Sequence, residues 1–202
     1  MKRLLLVVIC VLTLTSCIGI ESRISLKDDG SGTLQLAYRV SQFMKDLDTA
    51  EETRALPLPV TREDFERTVD AAKGLRLASL RQWEDEQDVH IEARLDFDRT
   101  EALNAIGRED QMGLSFSAAA GKHIFRQQVY RGRNFEEISP ETLQMLETFF
   151  DGYALSYLIT APAPILEYSG GELSADKRSL SYKTTIPQLL KSGDRVILEV
   201  VW

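Results

Sequence analysis

The sequence predicts an α+β fold: a largely antiparallel sheet of about eight strands with three or four helices packed on one face. Three observations predict it. Many stretches alternate apolar and polar residues with period two, short turns rich in Gly and Asp join them in pairs, and helix-period segments fall between hairpins. The full chain of 202 residues, 44% apolar and 27% charged, has the balance of a globular protein with a real core. No linker divides it, so everything after the first sixteen residues reads as one domain.

The alternation starts at once. Ile20, Ile24 and Leu26 share one side of an extended segment, with Glu21, Arg23, Ser25 and Lys27 on the other. Residues 28–32, DDGSG, are turn chemistry, since glycine takes positive φ freely and aspartate bonds to nearby backbone amides. A second strand sets Leu34, Leu36, Tyr38 and Val40 against Thr33, Gln35, Ala37 and Arg39. The pair predicts an N-terminal hairpin.

Residues 41–60 are less regular, with a short helical piece near QFMKDLD and a loop at LPLPV. Thr61-Arg62-Glu63-Asp64 resembles a capping box, and Phe65, Val69 and Ala72 share a helix face before Gly74 ends it. Two strands follow, about 75–84 and 88–98. The second sets Val89, Ile91, Ala93, Leu95 and Phe97 against Asp88, His90, Glu92, Arg94, Asp96 and Asp98.

A short helix near 99–106 precedes a hairpin of 112–119 with 122–131, turned at AAGK. Ser139-Pro140-Glu141 opens a helix with proline at its first position, and Leu143, Leu146, Phe149 and Phe150 form its apolar stripe. Strands at about 153–161, 179–186 and 195–202 complete the chain, with APAPI and SGGELSADKRS as connections.

The N-terminus carries a different signal. Lys2 and Arg3 precede an apolar run from Leu4 to Leu14, about eleven residues where a membrane-spanning helix needs roughly twenty. It reads as an export signal over 1–16. Leu14-Thr15-Ser16-Cys17 resembles the lipobox of bacterial lipoproteins, with a small residue before the cysteine. On that reading Cys17 is the lipidation site and the first residue of a mature domain, 17–202. Cys10 leaves with the signal, so no disulfide is expected. Losing Lys2 and Arg3 takes the formal charge from −7 to −9. An acidic domain gains nothing from anionic headgroups, so the acyl chains are the anchor. Because a strand begins by Ile20, the domain should lie close to the bilayer.

Chemistry is sparse. His90 and His123, the only histidines, sit in no metal-ligand spacing, and no GxSxG elbow or helix-opening glycine loop is present. The acidic runs EDEQD and GREDQ lack the ligand spacing of a calcium loop. No cofactor, no metal and no catalytic residue is expected. The charge balance and the lack of a basic stripe argue against nucleic acid. The remaining signal is aromatic: Phe149, Phe150, Tyr153, Tyr157 and Tyr168 are candidate lining for an apolar ligand cleft, with core packing as the alternative.

The lipobox cysteine, the strand, the Asp28-Asp29-Gly30-Ser31-Gly32-Thr33 turn and the second strand together resemble the opening of LppM-like bacterial lipoproteins. Pro164-Ile165, Gly170-Gly171, the SADKRS turn and a strand containing Tyr182, where that group often has tryptophan, resemble its later part. The resemblance implies a lipid-anchored α+β envelope domain with no established catalytic residues; only Cys17 carries over, as the acylation site. The expected function is therefore a non-catalytic envelope lipoprotein that binds an apolar ligand or a protein partner at the membrane surface. The alternatives are an assembly lipoprotein joining a complex through a sheet edge, for which RVILEVVW is the strand to test, or an envelope hydrolase. Ile18 rather than Asp after the cysteine favours the outer membrane in a diderm cell.

Overall fold

A computed structural model describes residues 18–41, 59, 61–86, 88–106, 113–132, 139–149 and 153–202. The expected export signal, Cys17 and the helical piece near QFMKDLD lie outside the described residues. The class is α+β, but the strands form two sheets rather than one.

The larger sheet has seven strands. It contains β1 (Ile18–Leu26), β2 (Gly32–Ser41), β3 (Leu75–Glu84), β4 (Asp88–Phe97), β7 (Ala154–Thr160), β9 (Glu172–Leu173) and β10 (Ser179–Thr185), in the order β3-β4-β2-β1-β7-β10-β9. The smaller has β5 (Leu114–Ala119), β6 (Lys122–Tyr130), β8 (Glu167–Ser169) and β11 (Val196–Val201), in the order β5-β6-β11-β8.

The predicted hairpins hold, and their register explains the alternation. Ile24 pairs with Leu34, Leu34 with Leu95, and Leu95 with Leu77, so one apolar row crosses four strands. Ile24, Leu34 and Leu95 are almost wholly buried. Opposite side chains on the same strands face outward and are charged, including Arg23, Arg94 and Glu92. The pairing of β1 with β7 is parallel and joins segments more than a hundred residues apart, which period-two patterning cannot reveal.

The inner face of the larger sheet, the smaller sheet, the first helix and a 3-10 turn share one core. Ile24, Leu36, Ile91, Ile159 and Leu180 meet Phe125, Leu198 and Val200 of the smaller sheet in it. Helix α1 (Arg62–Ala71) contributes Phe65, and a 3-10 turn over Thr100–Ala105 contributes Leu103. The capping box is present: the Thr61 hydroxyl accepts from the Asp64 amide at 3.1 Å, and the Asp64 carboxylate accepts from the Thr61 amide at 3.2 Å. Helix α2 (Pro140–Phe149) packs against α3 (Ile186–Ser192).

Helix α3 is a correction. The sequence reading runs a strand through residue 186, but Thr185 and Gln188 form a second capping box with proline in the first turn, and Gly193 closes the helix at φ +67°. Two short strands, β8 and β9, replace part of the expected connection at SGGELSADKRS. Between them the chain crosses from one sheet to the other at Gly170-Gly171. A Cβ at Gly170, whose φ is +70°, would collide with the Ile197 carbonyl oxygen. The strand offered as an edge, β11, pairs with β6 along its length and with three-residue β8 over Glu199–Val201, so that part of it is interior to the smaller sheet.

Candidate functional site

The inner face of the larger sheet changes character toward the end where β1 begins. In one row Tyr38, Ile20, Leu155 and Thr184 are register partners across β2, β1, β7 and β10. In the next row stand Leu36, Ser22, Tyr157 and Tyr182. These positions point to the core side, yet Ile20, Leu155, Tyr157 and Tyr182 are only half buried. The Tyr157 and Tyr182 rings lie 6.5 Å apart.

The polar groups of this patch are unusual. The Ser22 and Tyr38 hydroxyls are buried and find no hydrogen-bond partner among the described residues. A buried hydroxyl left unpaired costs about 1–3 kcal/mol, so each is an uncompensated donor and acceptor beside an apolar surface. Burial pushes the Tyr157 hydroxyl up to about 12, with the Tyr182 hydroxyl adding to the effect. Burial, then the Asp64 carboxylate, holds the Tyr38 hydroxyl well above its ordinary value. Both phenols stay protonated at neutral pH. The patch thus sets two protonated phenols and a serine hydroxyl beside half-buried apolar side chains.

Beside this patch the end of the sheet is tied by a polar network. Arg39 Nη1 lies 3.1 Å from Asp88 Oδ2, and the Tyr153 hydroxyl donates to Asp88 Oδ1 at 2.9 Å. The Arg39 guanidinium also lies over the Tyr153 ring, 4.5 Å from its centroid. Asp88 is 3% exposed, and both its carboxylate oxygens are engaged. In the β3–β4 turn the Asp85 carboxylate accepts from the Asp88 amide at 2.8 Å and meets His90 Nε2 at 2.6 Å. His90 stacks on Trp83 at 4.9 Å, and Arg81 lies over the same indole at 4.5 Å.

The larger sheet carries two open depressions of about 610 and 670 Å³, the second lined in part by Ser22, Tyr157 and Tyr182. Charged residues of both signs rim them, among them Glu21, Arg23, Arg94 and Lys183. Arg23 pairs with Glu21, and Arg81 approaches Glu92 at 3.8 Å.

The candidate lining residues do not fall in one place. Tyr157 belongs to the inner-face patch, Tyr153 to the Asp88 network, and Tyr168 is half exposed on β8 in the smaller sheet. Phe149 ends α2, and Phe150 lies outside the described residues. The sequence reading missed Ile20, Ser22, Tyr38, Leu155 and Tyr182 as a patch, because only cross-strand register assembles them. His123 stacks on Trp202 at 5.5 Å, with Phe116 beside both rings at 5.9 Å. The Trp202 indole donates to Asp28 at 3.1 Å, so this cluster locks the β1–β2 turn to the smaller sheet. Among the described residues no His, Cys, Asp and Glu group is placed to hold a metal, and no helix is long and apolar enough to cross a membrane.

No family model matches the chain, and no curated protein does. Among solved structures, the NMR structure of the folded domain of LppM from Mycobacterium tuberculosis is similar, at 10% identity and a TM-score of 0.49, over 92% of this chain and 89% of that one.

Proposed function

We propose that this chain is a lipid-anchored, non-catalytic binding domain of the bacterial cell envelope, and that its ligand is an amphiphile held on the inner face of the larger sheet. One observation carries the ligand reading: Ile20, Leu155, Tyr157 and Tyr182 form a contiguous half-buried surface beside the unpartnered hydroxyls of Ser22 and Tyr38. Each methylene sheltered on such a surface contributes roughly 0.8 kcal/mol, so an acyl chain would bind there without any charged contact. A hydroxyl, ester or amide at its end would satisfy the stranded hydroxyls.

The anchor reading rests on the sequence: a basic start, a short apolar run and Leu14-Thr15-Ser16-Cys17 directly before the first strand. Ile18 after the cysteine favours the outer membrane of a diderm cell.

Titration with a fluorescent fatty acid tests the ligand site. Tyr182→Arg places a charge on the half-exposed surface and should weaken binding at least about tenfold while leaving the circular-dichroism spectrum unchanged. Equal affinity in the variant would contradict the site. For the anchor, Cys17→Ser should move the protein from the membrane fraction to the soluble one; an unchanged distribution would contradict it.

A further inference from the structure

Register places several side chains of the larger sheet at the height of the anchor. Ile20 pairs with Tyr38. One step toward the start of β1, Arg39 pairs with His90 and His90 with Trp83. That row stands level with Gly19, two residues from Cys17, about 7 Å along the strand direction. No flexible linker lies between, because β1 begins at Ile18. If Cys17 carries acyl chains in a bilayer, this end of the sheet stands at headgroup level.

The side chains there suit that position. Trp83 is half buried, and its indole is held between the Arg81 guanidinium and the His90 ring. Tyr153 stands close by, stacked under Arg39. Tryptophan and tyrosine settle at membrane interfaces because an apolar ring and a polar atom are satisfied there together. Beyond Trp83 the turn exposes the carboxylates of Glu84, Asp85 and Glu86. Even with exposed Arg81 beside the indole and Asp85 bonded to His90, the three carboxylates leave this rim net acidic, which is repelled by anionic lipid and complements ammonium groups.

We infer that the Trp83 end of the larger sheet is a second membrane contact, seated among the amine-bearing zwitterionic headgroups of the bilayer that holds the acyl chains. The inference rests on the anchor reading above. It sets the strands along the bilayer normal. Trp202 then stands far from the lipid: its indole bonds to Asp28, in the turn just past Leu26, and Leu26 lies about 27 Å from Ile18 along the strand.

The two tryptophans of the chain therefore report opposite ends. The test uses the full chain, processed in a bacterial host and reconstituted into vesicles of phosphatidylethanolamine and phosphatidylcholine with bromine on the acyl chains. Wild-type emission should be quenched about twofold, and Trp83→Phe, which leaves buried Trp202, should show almost no quenching. Replacing phosphatidylethanolamine by phosphatidylglycerol should reduce the wild-type quenching. Quenching as strong in Trp83→Phe as in wild type, or none in acylated wild type, would overturn the contact. Undiminished quenching in phosphatidylglycerol would overturn its headgroup preference. The intact mass separates the two readings: protein without acyl chains on Cys17 overturns the anchor and this inference together, whereas acylated but unquenched protein overturns the inference alone.

Discussion

Asp88 is the residue on which the end of the larger sheet turns. Its carboxylate is buried and shared between Arg39 and the Tyr153 hydroxyl, which ties β4 to β2 and to the start of β7. Removing the buried carboxylate takes an ion pair from the Arg39 guanidinium and a hydrogen bond from the Tyr153 hydroxyl. Asp88→Ala should therefore cost about 3–5 kcal/mol in urea unfolding, while Arg39→Met combined with Asp88→Leu should recover much of it. A cost near zero for the single variant would show that the pair is not sheltered.

Tyr157 gives a prediction with a definite pH window. Its hydroxyl is raised by burial from 10.0 to about 12, so the folded protein holds that proton more tightly than the unfolded chain does. The stability gained is complete below pH 10 and is lost as pH rises from 10 to about 12. Ultraviolet titration should show a late tyrosinate step that disappears in Tyr157→Phe; a step at the ordinary value would contradict the burial.

Among the elements, the hairpins were readable because their residues carry both period and punctuation. DDGSG sits between two alternating runs, and the structure turns there, with the Ser31 amide donating to Asp29 at 2.9 Å. Helix α1 was readable for a similar reason, since Thr61 and Asp64 cap each other within four residues. Helix α3 was not: Thr185 is at once the last residue of β10 and the cap of the helix, so a strand reading absorbs the signal. The β5–β6 turn holds an imperfect choice, Ala120 at φ +54° before Gly121 at +75°. An L residue without a local hydrogen bond pays about 1–2 kcal/mol in that region. Ala120→Asn should thus raise the melting temperature by about 2–4 °C, as measured by calorimetry; a lowered value would refute the strain.

At the scale of the molecule, the sequence carries the class and the candidate anchor, but not the division into two sheets. That division depends on the parallel β1–β7 pairing and on a two-glycine crossing between strands of three and two residues, none of which has a periodic signature. The proposed ligand patch was hidden for the same reason. Tyr157 was singled out with Tyr153 and Tyr168 by proximity along the chain, whereas its partners across the sheet are Ser22 and Tyr182. Half-burial on a core-facing side is a property of the assembled sheets, not of any segment. The proposed ligand surface and the proposed tether fall at the same end of the sheet, since Ile20 lies three residues from Cys17. On the proposed anchor and ligand readings together, a domain so arranged would receive an amphiphile from the bilayer that holds it.

Native mass spectrometry of residues 18–202, purified from a bacterial host without added detergent, tests that claim most directly. A fraction of the protein should carry an added mass equal to a cellular lipid, and Tyr182→Arg should lose it. Ligand-free protein throughout, with the native fold intact by circular dichroism, would contradict the account.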